Sequence, residues 1–333
     1  MANLEIRDLD REDEVQIRAF WEVVRDCVAE RRYNTWRAWA EVRTYLAAPP
    51  GDRENAALCA WDGARLVGVA AASAPLTDNL HRSSVDVWVL PERRRVGIGT
   101  ALLESVLPRV RGWGRTVLAA EVFAPVDADS TGLAFARGHG FAVAIEEGMK
   151  IADLQATKAR WAALADEAAA YHPDYRLVTT WDPMPDDLVD GYCRLNNLFM
   201  SLAPMGDSDV EDEAWDAERV RERERRGTQA QRRDLYTMAI DASGEPVGMT
   251  ELFINESAPH RVFQGGTVVL PGHRGHRLGL AVKVASHRAL LAEFPDAQWI
   301  VTANADVNAA MNVVNDRLGF RVVERCLEME RPI

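Results

Sequence analysis

The chain has 333 residues, 47% of them hydrophobic and 27% charged, and its net charge is −12. This length suits two domains of about 150 residues, each large enough for its own core. The acidic charge argues against a nucleic-acid partner and favours cationic small molecules. The charged N-terminus, the lack of a run of roughly 20 apolar residues and four scattered cysteines predict a cytoplasmic protein with no membrane span, disulfide framework or thiolate zinc site.

Hydrophobic periodicity in the first half predicts the element order β, α, α, β, β, β, α, β, α, β, β. Asp62-Gly63 lies between two apolar runs and is typical of a hairpin turn. The predicted strands cover residues 4–7, 56–61, 66–72, 84–90 and 116–123, and two closing strands lie within 141–149. The predicted helices cover residues 11–31, 36–46, 98–111 and 131–139.

An alanine-rich segment at 155–171 then predicts a connecting helix packed on one or both domains, with a flexible linker as the alternative. From residue 175 the same order restarts. The predicted strands of this half cover residues 175–181, 235–240, 247–254, 262–270, 299–302 and 320–323. The predicted helices cover residues 186–199, 208–226, 280–291 and 307–318, with Ser208 and Glu211 as the capping box of the helix that contains Asp209.

Landmarks in the two halves recur at a nearly constant offset. Leu90-Pro91 and Leu270-Pro271 differ by 180 residues, and Gly140-Phe141 and Gly319-Phe320 differ by 179. A period this long indicates a duplicated domain, because solenoid repeats run to roughly 20–50 residues. We therefore predict domains at 1–154 and 174–333, joined by a helix at 155–173.

Each half contains an apolar strand, a short basic turn with glycine and then an amphipathic helix. A helix that starts from such a turn directs unpaired N–H groups and the positive end of its dipole at an anion, most often a phosphate. A dinucleotide-binding GxGxxG motif is excluded because Leu102 stands at the third glycine. A Walker loop is excluded because the sequence has no GK[ST] motif.

The turn Arg94-x-x-Gly97-x-Gly99, its placement between strand and helix, and the late helix before Gly140-Phe141 resemble the GCN5-related N-acetyltransferase (GNAT) superfamily. The duplicated arrangement is similar to the tandem acetyltransferases of actinobacteria, which include the mycothiol synthases. The resemblance covers essentially the whole chain. It implies an α/β (α+β) fold of two tandem GNAT domains, each with a mixed, splayed central sheet flanked by helices.

The resemblance also implies an acetyl-CoA site in which the strand end pairs with the pantetheine and the turn amides hold the pyrophosphate. In the first half it assigns these roles to Val89, Leu90, Arg94, Arg95, Val96, Gly97, Ile98, Gly99 and Thr100. In the second half it assigns them to Val269, Leu270, Arg274, Gly275, His276, Arg277, Leu278, Gly279, Leu280 and, at the start of the late helix, Asn308.

Arg277 stands where the motif has its first glycine, and we expect helical φ and ψ angles there, which would still present its N–H. Its side chain could add positive charge for the phosphates or block them, and we favour binding.

Acetyl transfer needs a neutral amine, a polarised carbonyl and a proton for the departing thiolate. The resemblance implies a strand carboxylate as base, for which Glu121, Glu251 and Asp86 are candidates. It also implies a tyrosine seven residues into the late helix as acid. Ala136 and Asn315 stand at that position, and Asn315 is a candidate for positioning the thiolate.

These residues predict an acetyl-CoA-dependent N-acetyltransferase that acts on a primary amine of a small, cationic molecule by direct attack. We expect a monomer or homodimer with no metal, and the second half as the catalytic one. Because the acid tyrosine is missing from both halves, a non-catalytic acyl-CoA-binding sensor or scaffold is the alternative.

Overall fold

The computed structural model describes residues 4–203, 206–208 and 210–333. The strands of the first half are β1 (Leu4–Asp8), β2 (Arg53–Asp62), β3 (Arg65–Pro75), β4 (Arg82–Val89), β5 (Val117–Ala124) and β6 (Ala142–Asp153). Its helices are α1 (Glu14–Val28), α2 (Trp39–Ala47), α3 (Ile98–Gly112) and α4 (Thr131–Gly138).

The connecting segment contains α5 (Leu154–Thr157) and α6 (Trp161–Ala169). The helices that follow are α7 (Asp186–Asn197), α8 (Phe199–Leu202), α9 (Ala217–Gln229), α10 (Leu278–Glu293) and α11 (Ala309–Leu318). The strands are β7 (Arg176–Trp181), β8 (Arg232–Ile240), β9 (Pro246–Asn255), β10 (Arg261–Val269), β11 (Trp299–Ala305) and β12 (Arg321–Pro332).

The helix predicted at 208–226 starts only at residue 217, so its predicted capping box is wrong. Asp216 is the true N-cap, since its side chain accepts from the Arg219 N–H at 2.8 Å. Ser208 instead donates to Glu328 of β12 at 2.7 Å. Tertiary contacts therefore hold this segment in an irregular conformation, and Asp209 lies outside the described residues.

The strands form one twelve-stranded sheet in the order β1-β2-β3-β4-β5-β12-β6-β11-β10-β9-β8-β7. The last strand of each half lies in the other half: β12 pairs with β5, and β6 pairs with β11. Between them Cys326 stands opposite Glu147. Those two residues are themselves 179 apart, the offset of the duplication, so the two-fold relation of the halves runs through this pair. The domain limits inferred from the repeat stay a prediction.

In each half one parallel strand pair diverges. β4 pairs with β5 only from Arg82 to Ser84, and β10 pairs with β11 only from Arg261 to Phe263. Beyond these residues the strands splay apart, and α3 and α10 start at the open ends. Each splay leaves unpaired strand edges beside the N-terminus of a helix.

The connecting segment is helical and packed, so the flexible-linker alternative is wrong. Trp161 of α6 is 3% exposed and belongs to the apolar core that α10 and β11 form in the second half. The four cysteines are free thiols. Among the described residues, no helix is both long and apolar enough to cross a membrane.

Candidate active site

A cavity of about 850 Å³ opens in the second half where β10 and β11 diverge. The first turns of α10 and α11 form one wall, and α8 forms another. Of the ten residues predicted to bind the cofactor in this half, eight line the cavity: Val269, Arg274, Gly275, Arg277, Leu278, Gly279, Leu280 and Asn308.

The two remaining residues are engaged elsewhere. The Leu270 N–H donates to the Val247 carbonyl at 2.9 Å, and His276 Nδ1 lies 3.0 Å from the Tyr171 carbonyl. Because backbone groups alternate in direction along a strand, the N–H of Val269 points away from β9 and toward the splay. Val269 is therefore the residue whose edge is open to a ligand.

The turn before α10 fits a phosphate group. Gly275 (φ 87°) and Arg277 (φ 53°) both adopt the left-handed conformation, so the chain folds back and α10 starts at the cavity wall. A Cβ added to Gly279 would have no atom within 4 Å. The first turn of α10 therefore faces open space with its unpaired N–H groups and positive dipole end.

The helical conformation expected for Arg277 is wrong. Its φ of 53° and ψ of 20° are left-handed and follow the backbone path of Gly97, whose φ is 88° and ψ −2°. Its guanidinium lies 3.9 Å from the centre of the Tyr171 ring and pairs with Glu167 of α6. These contacts oppose the cost of about 1–2 kcal/mol for a left-handed residue with a side chain.

A β-bulge marks β10 beside the cavity. The register of β10 with β9 shifts between Gln264 and Thr267, at Gly265 and Gly266. A Cβ on Gly265 would lie 2.6 Å from the Glu251 carboxylate, so only glycine fits. The corresponding part of β4 pairs with β3 without a shift.

Glu251, a predicted base, lies behind this bulge and is 6% exposed. Its Oε2 accepts from Tyr192 Oη at 2.8 Å and from Arg223 Nη2 at 3.0 Å, and its Oε1 lies 3.4 Å from the Gly266 nitrogen. Burial, and next the Glu251 charge, raise the pKa of Tyr192 well above its usual value. The Glu251 carboxylate is thus used to hold the bulge, and its role as base stays a prediction.

Glu147 is a candidate base that the sequence analysis missed. It belongs to β6, which the sequence assigns to the first half, but strand exchange places it opposite Ala305 and on the wall of the second-half cavity. Burial, and next the Glu328 carboxylate, raise its pKa. A general base works best with a pKa near the working pH, so this shift suits the task.

Asn315 does not line the cavity and is fully buried. Its Oδ1 accepts from Lys283 Nζ at 2.9 Å, and its Nδ2 donates to Asn304 Oδ1 at 2.9 Å. Lys150 Nζ donates to the same Asn304 oxygen at 3.2 Å. Lys283 and Asn304 both line the cavity, so Lys283 is the titratable member of this network that is beside both Asn315 and the ligand space.

The equivalent groove in the first half is filled. A Cβ added to Gly99 would lie 3.1 Å from the Phe135 ring of α4 and 3.7 Å from Val89. Thr100 Oγ1 lies 3.1 Å from Nε2 of His139, whose ring stacks on Phe135 with centroids 4.1 Å apart. These contacts tie the start of α3 to α4 where the second half keeps open space.

The other predicted cofactor residues of the first half hold the turn itself. Arg95 (φ 65°) and Gly97 are left-handed, and Arg94 Nε donates to the Val89 carbonyl at 3.0 Å. The Leu90 N–H donates to the Val67 carbonyl. Val96 is half exposed and Ile98 is buried in the core of this half.

The remaining candidate bases lie between the two halves. Asp86 is exposed to solvent and lines a separate cavity of about 420 Å³. The atoms around it exclude part of its hydration, and this desolvation raises the pKa of Asp86 to about 6. Glu121 stands opposite Glu328 of β12. Desolvation, and next the Asp86 charge, raise the pKa of Glu121. Neither residue lines the cavity of the second half.

The comparisons with known proteins agree with this geometry. Residues 16–141 match the acetyltransferase (GNAT) family. No curated protein matches the chain significantly. A tandem GNAT protein from the clavulanic acid biosynthesis pathway is 26% identical, with a TM-score of 0.82 over 99% of this chain and 98% of that one.

A GCN5-related N-acetyltransferase from Sphaerobacter thermophilus has a TM-score of 0.66 at 14% identity, over 99% of this chain and 95% of that one. Residues 16–141 are therefore similar to the GNAT acetyltransferase family, and over its whole length the chain has the fold of a tandem GNAT protein. Proteins of the matched family use acetyl-CoA as acyl donor.

Proposed function

We propose that this protein transfers the acetyl group of acetyl-CoA to a primary amine of a small molecule, and that the second half alone carries the reaction. The observation that supports this most is the contrast between the two splays. The second half has an open cavity of about 850 Å³ in front of its helix N-terminus, whereas Phe135 fills the corresponding place in the first half.

In this proposal the turn amides from Gly275 to Leu280 hold the phosphates, and the N–H of Val269 pairs with the pantetheine as an added strand would. Acetyl-CoA supplies an acetyl group bound as a thioester, which a neutral amine can attack. The bulge at Gly265 and Gly266 leaves room for that approach. Glu147 takes the proton that the acceptor nitrogen loses.

The acceptor proposed is cationic before it reacts. Glu147 is exposed to the cavity, and Glu328 and Glu121 lie next to it across β12 and β5. A carboxylate on the wall of a cavity attracts an ammonium group and lowers the cost of its desolvation. Glu147 can then accept its proton, so attraction and deprotonation use the same side chain.

We also propose that the units run from 1–154 and 174–333 in sequence, with 155–173 between them, and that each unit needs the other's last strand. On this view a half expressed alone lacks part of its site.

The test is Gly279→Glu, which puts a carboxylate in the space before α10. Because a Cβ at Gly279 meets no atom within 4 Å, the fold should tolerate the change while the negative charge repels the phosphates. We expect acetyl-CoA binding by calorimetry, and thiol release across a panel of polyamines and aminosugars, to fall at least about 100-fold, the loss of about 2.7 kcal/mol of binding.

The matched control is Gly112→Glu at the end of α3, where a Cβ also meets no atom within 4 Å and no cavity is near. It should bind and turn over as the unmodified protein does. If Gly279→Glu leaves turnover intact, the second half is not the active one. If the unmodified protein binds CoA but acetylates no amine in the panel, a binding module is the better description.

A further inference from the structure

The positive charges of this chain are almost all arginines, and its three lysines are Lys150, Lys158 and Lys283. Two of the three are buried near each other at the cavity of the second half: Lys283, which lines it, is 1% exposed, and Lys150, which donates to the lining residue Asn304, is 4% exposed. Lysine can give up its proton in a protein, whereas arginine cannot. The fold therefore buries its rare titratable cations at the site of the proposed reaction.

Neither buried lysine has a carboxylate bound to its ammonium group among the described contacts. Lys283 Nζ donates to Asn315 Oδ1 at 2.9 Å, and Lys150 Nζ donates to Asn304 and Asn312. The two amides of Asn315 and Asn304 join the lysines into one hydrogen-bonded chain. A neutral amide can orient an ammonium group without fixing its charge, so the proton stays transferable.

We propose that Lys283 is the general acid of the acetyl transfer and donates the proton that the departing sulfur needs. Asn315 is a positioning residue that holds the Lys283 ammonium in place from the position that the acid tyrosine has in the family. This assignment rests on the function proposed for the cavity of the second half, since it adds a proton donor to that reaction.

The protons balance as follows. The acceptor ammonium first loses one proton through Glu147 to water. The neutral amine nitrogen then forms the bond to the acetyl carbon while the bond from that carbon to sulfur breaks, and Glu147 takes a second proton from the nitrogen. Lys283 gives one proton to the sulfur, which leaves as a thiol. Lys283 then regains a proton from water in the cavity, and Glu147 releases one to water.

The acidity of Lys283 suits this step. Burial, and next the nearby charge of Lys150, lower its pKa to about 7. An ordinary lysine, with a pKa of about 10.4, is a weaker acid than a thiol of pKa about 8.5, so it would protonate a thiolate poorly. Lys283 is a stronger acid than the thiol, so proton transfer from Lys283 to the sulfur is thermodynamically favourable.

Other titratable groups around Lys283 support the same direction. His287 on its own helix is fully buried, and burial followed by the Lys283 charge lowers its pKa to about 3, so it stays neutral. Burial lowers the pKa of Lys150 as well, while Asp316, Asp306 and Glu147 oppose this shift and favour its charged form. The charge of Lys150 therefore acts on Lys283 and lowers the pKa of Lys283.

The first arm of the test compares Lys283→Met and Lys283→Arg. Both remove the transferable proton, and only arginine keeps the charge. We expect both to lower kcat about 100-fold, the lower end of the range for general acid catalysis. The KM for acetyl-CoA should change less than about threefold, because the phosphate cradle is intact.

The kcat of the unmodified protein should also decline above pH about 7 as Lys283 loses its proton, and Lys283→Met should lack this decline. Lys158→Met is the matched control, since Lys158 is exposed and bonds only to Gln155, and it should match the unmodified protein.

The second arm does not depend on turnover. With only three lysines, a protein labelled with ¹³C-lysine gives three Cε signals, and Lys283→Met identifies one of them. We expect that signal to titrate near pH 7 and to shift when CoA is added. A titration above pH 10, or a Lys283→Arg variant with unaltered kcat, would overturn the assignment. If the labelled lysine titrates as expected while no amine is acetylated, the proposed function fails and the acid role fails with it. If the protein acetylates an amine but the Lys283 signal titrates above pH 10, only the acid role fails.

Discussion

α3 and α10 start from turns with the same backbone path, but their inward faces differ in chemistry. At corresponding positions α3 has Leu103, Val106 and Leu107, whereas α10 has Lys283, Ser286 and His287. Ser286 Oγ and both His287 ring nitrogens have no hydrogen-bond partner among the described residues. Such burial is costly, and a fold keeps it most often where a site needs it.

The late helices show the same contrast. Phe135 and Ala136 of α4 complete an apolar core and fill the groove, while Val314 and Asn315 of α11 leave a cavity with a polar wall. The half with both motif glycines is therefore the half whose groove is closed. A complete phosphate-binding motif indicates a competent backbone, and side-chain packing decides whether a ligand can enter.

The largest expected effect distinguishes Glu147 from Glu251, the two candidate bases near the cavity of the second half. Glu147→Gln keeps the size of the side chain and removes the base, so we expect kcat to fall about 100-fold. The KM for acetyl-CoA should stay within about threefold, since the phosphate contacts are untouched. Steady-state kinetics from pH 6 to 9 measure both quantities.

Glu251→Gln is the comparison variant. It removes the charge from a buried site where Tyr192 and Arg223 donate to Glu251, while Arg223 keeps Asp234 as its other carboxylate partner. We expect a loss of about 1–3 kcal/mol in the free energy of unfolding, measured in urea. If Glu251→Gln folds normally and loses kcat while Glu147→Gln keeps it, the base has been assigned to the wrong residue.

A second prediction makes the second half resemble the first. Lys283→Leu combined with Asn315→Ala introduces the residues of the first half, Leu103 and Ala136. We expect a gain of roughly 1–3 kcal/mol in the free energy of unfolding at pH 6, because a poorly compensated buried charge is replaced by apolar packing. Activity should be lost in the same variant.

The lowered pKa of Lys283 determines whether the stability of the unmodified protein rises or falls with pH. Lys283 binds a proton less readily in the folded protein than in the unfolded chain, where its pKa is near 10.5. The unfolded chain therefore holds more protons between pH about 7 and 10.5, and the stability of the unmodified protein rises across that window. The gain of the double variant should be largest below pH 7 and shrink toward pH 10; a gain that is constant with pH would contradict this origin.

The smallest expected effect concerns the filled groove. The unmodified chain should bind one CoA in calorimetry. Phe135→Val introduces the smaller residue that Val314 represents in the second half, and we expect a weak second binding event, because the turn of the first half has the same backbone path. The first event should keep its affinity. Two equal sites in the unmodified protein would show that Phe135 does not close the groove.

Local patterns determined much of this protein. Alternating and helical periodicity predicted nearly every strand and helix, and turn residues located the two basic turns before α3 and α10 within a residue or two. The element that failed, residues 208–216, failed because Ser208 and Glu211 bind groups more than 100 residues away, at Glu328 and Asn79. A capping motif describes only its own neighbours in sequence.

By itself the sequence determined the duplication, the GNAT-type turns and eight residues that line the cavity of the second half. Tertiary structure alone decided that β6 and β12 change places, which brings Glu147 to a site that the sequence assigns to the other half. It also decided that Phe135 closes one groove and that Lys283 meets Asn315 beside the other. Periodicity and turn residues act over a few positions, whereas strand order and packing depend on segments that meet only when the whole sheet has formed.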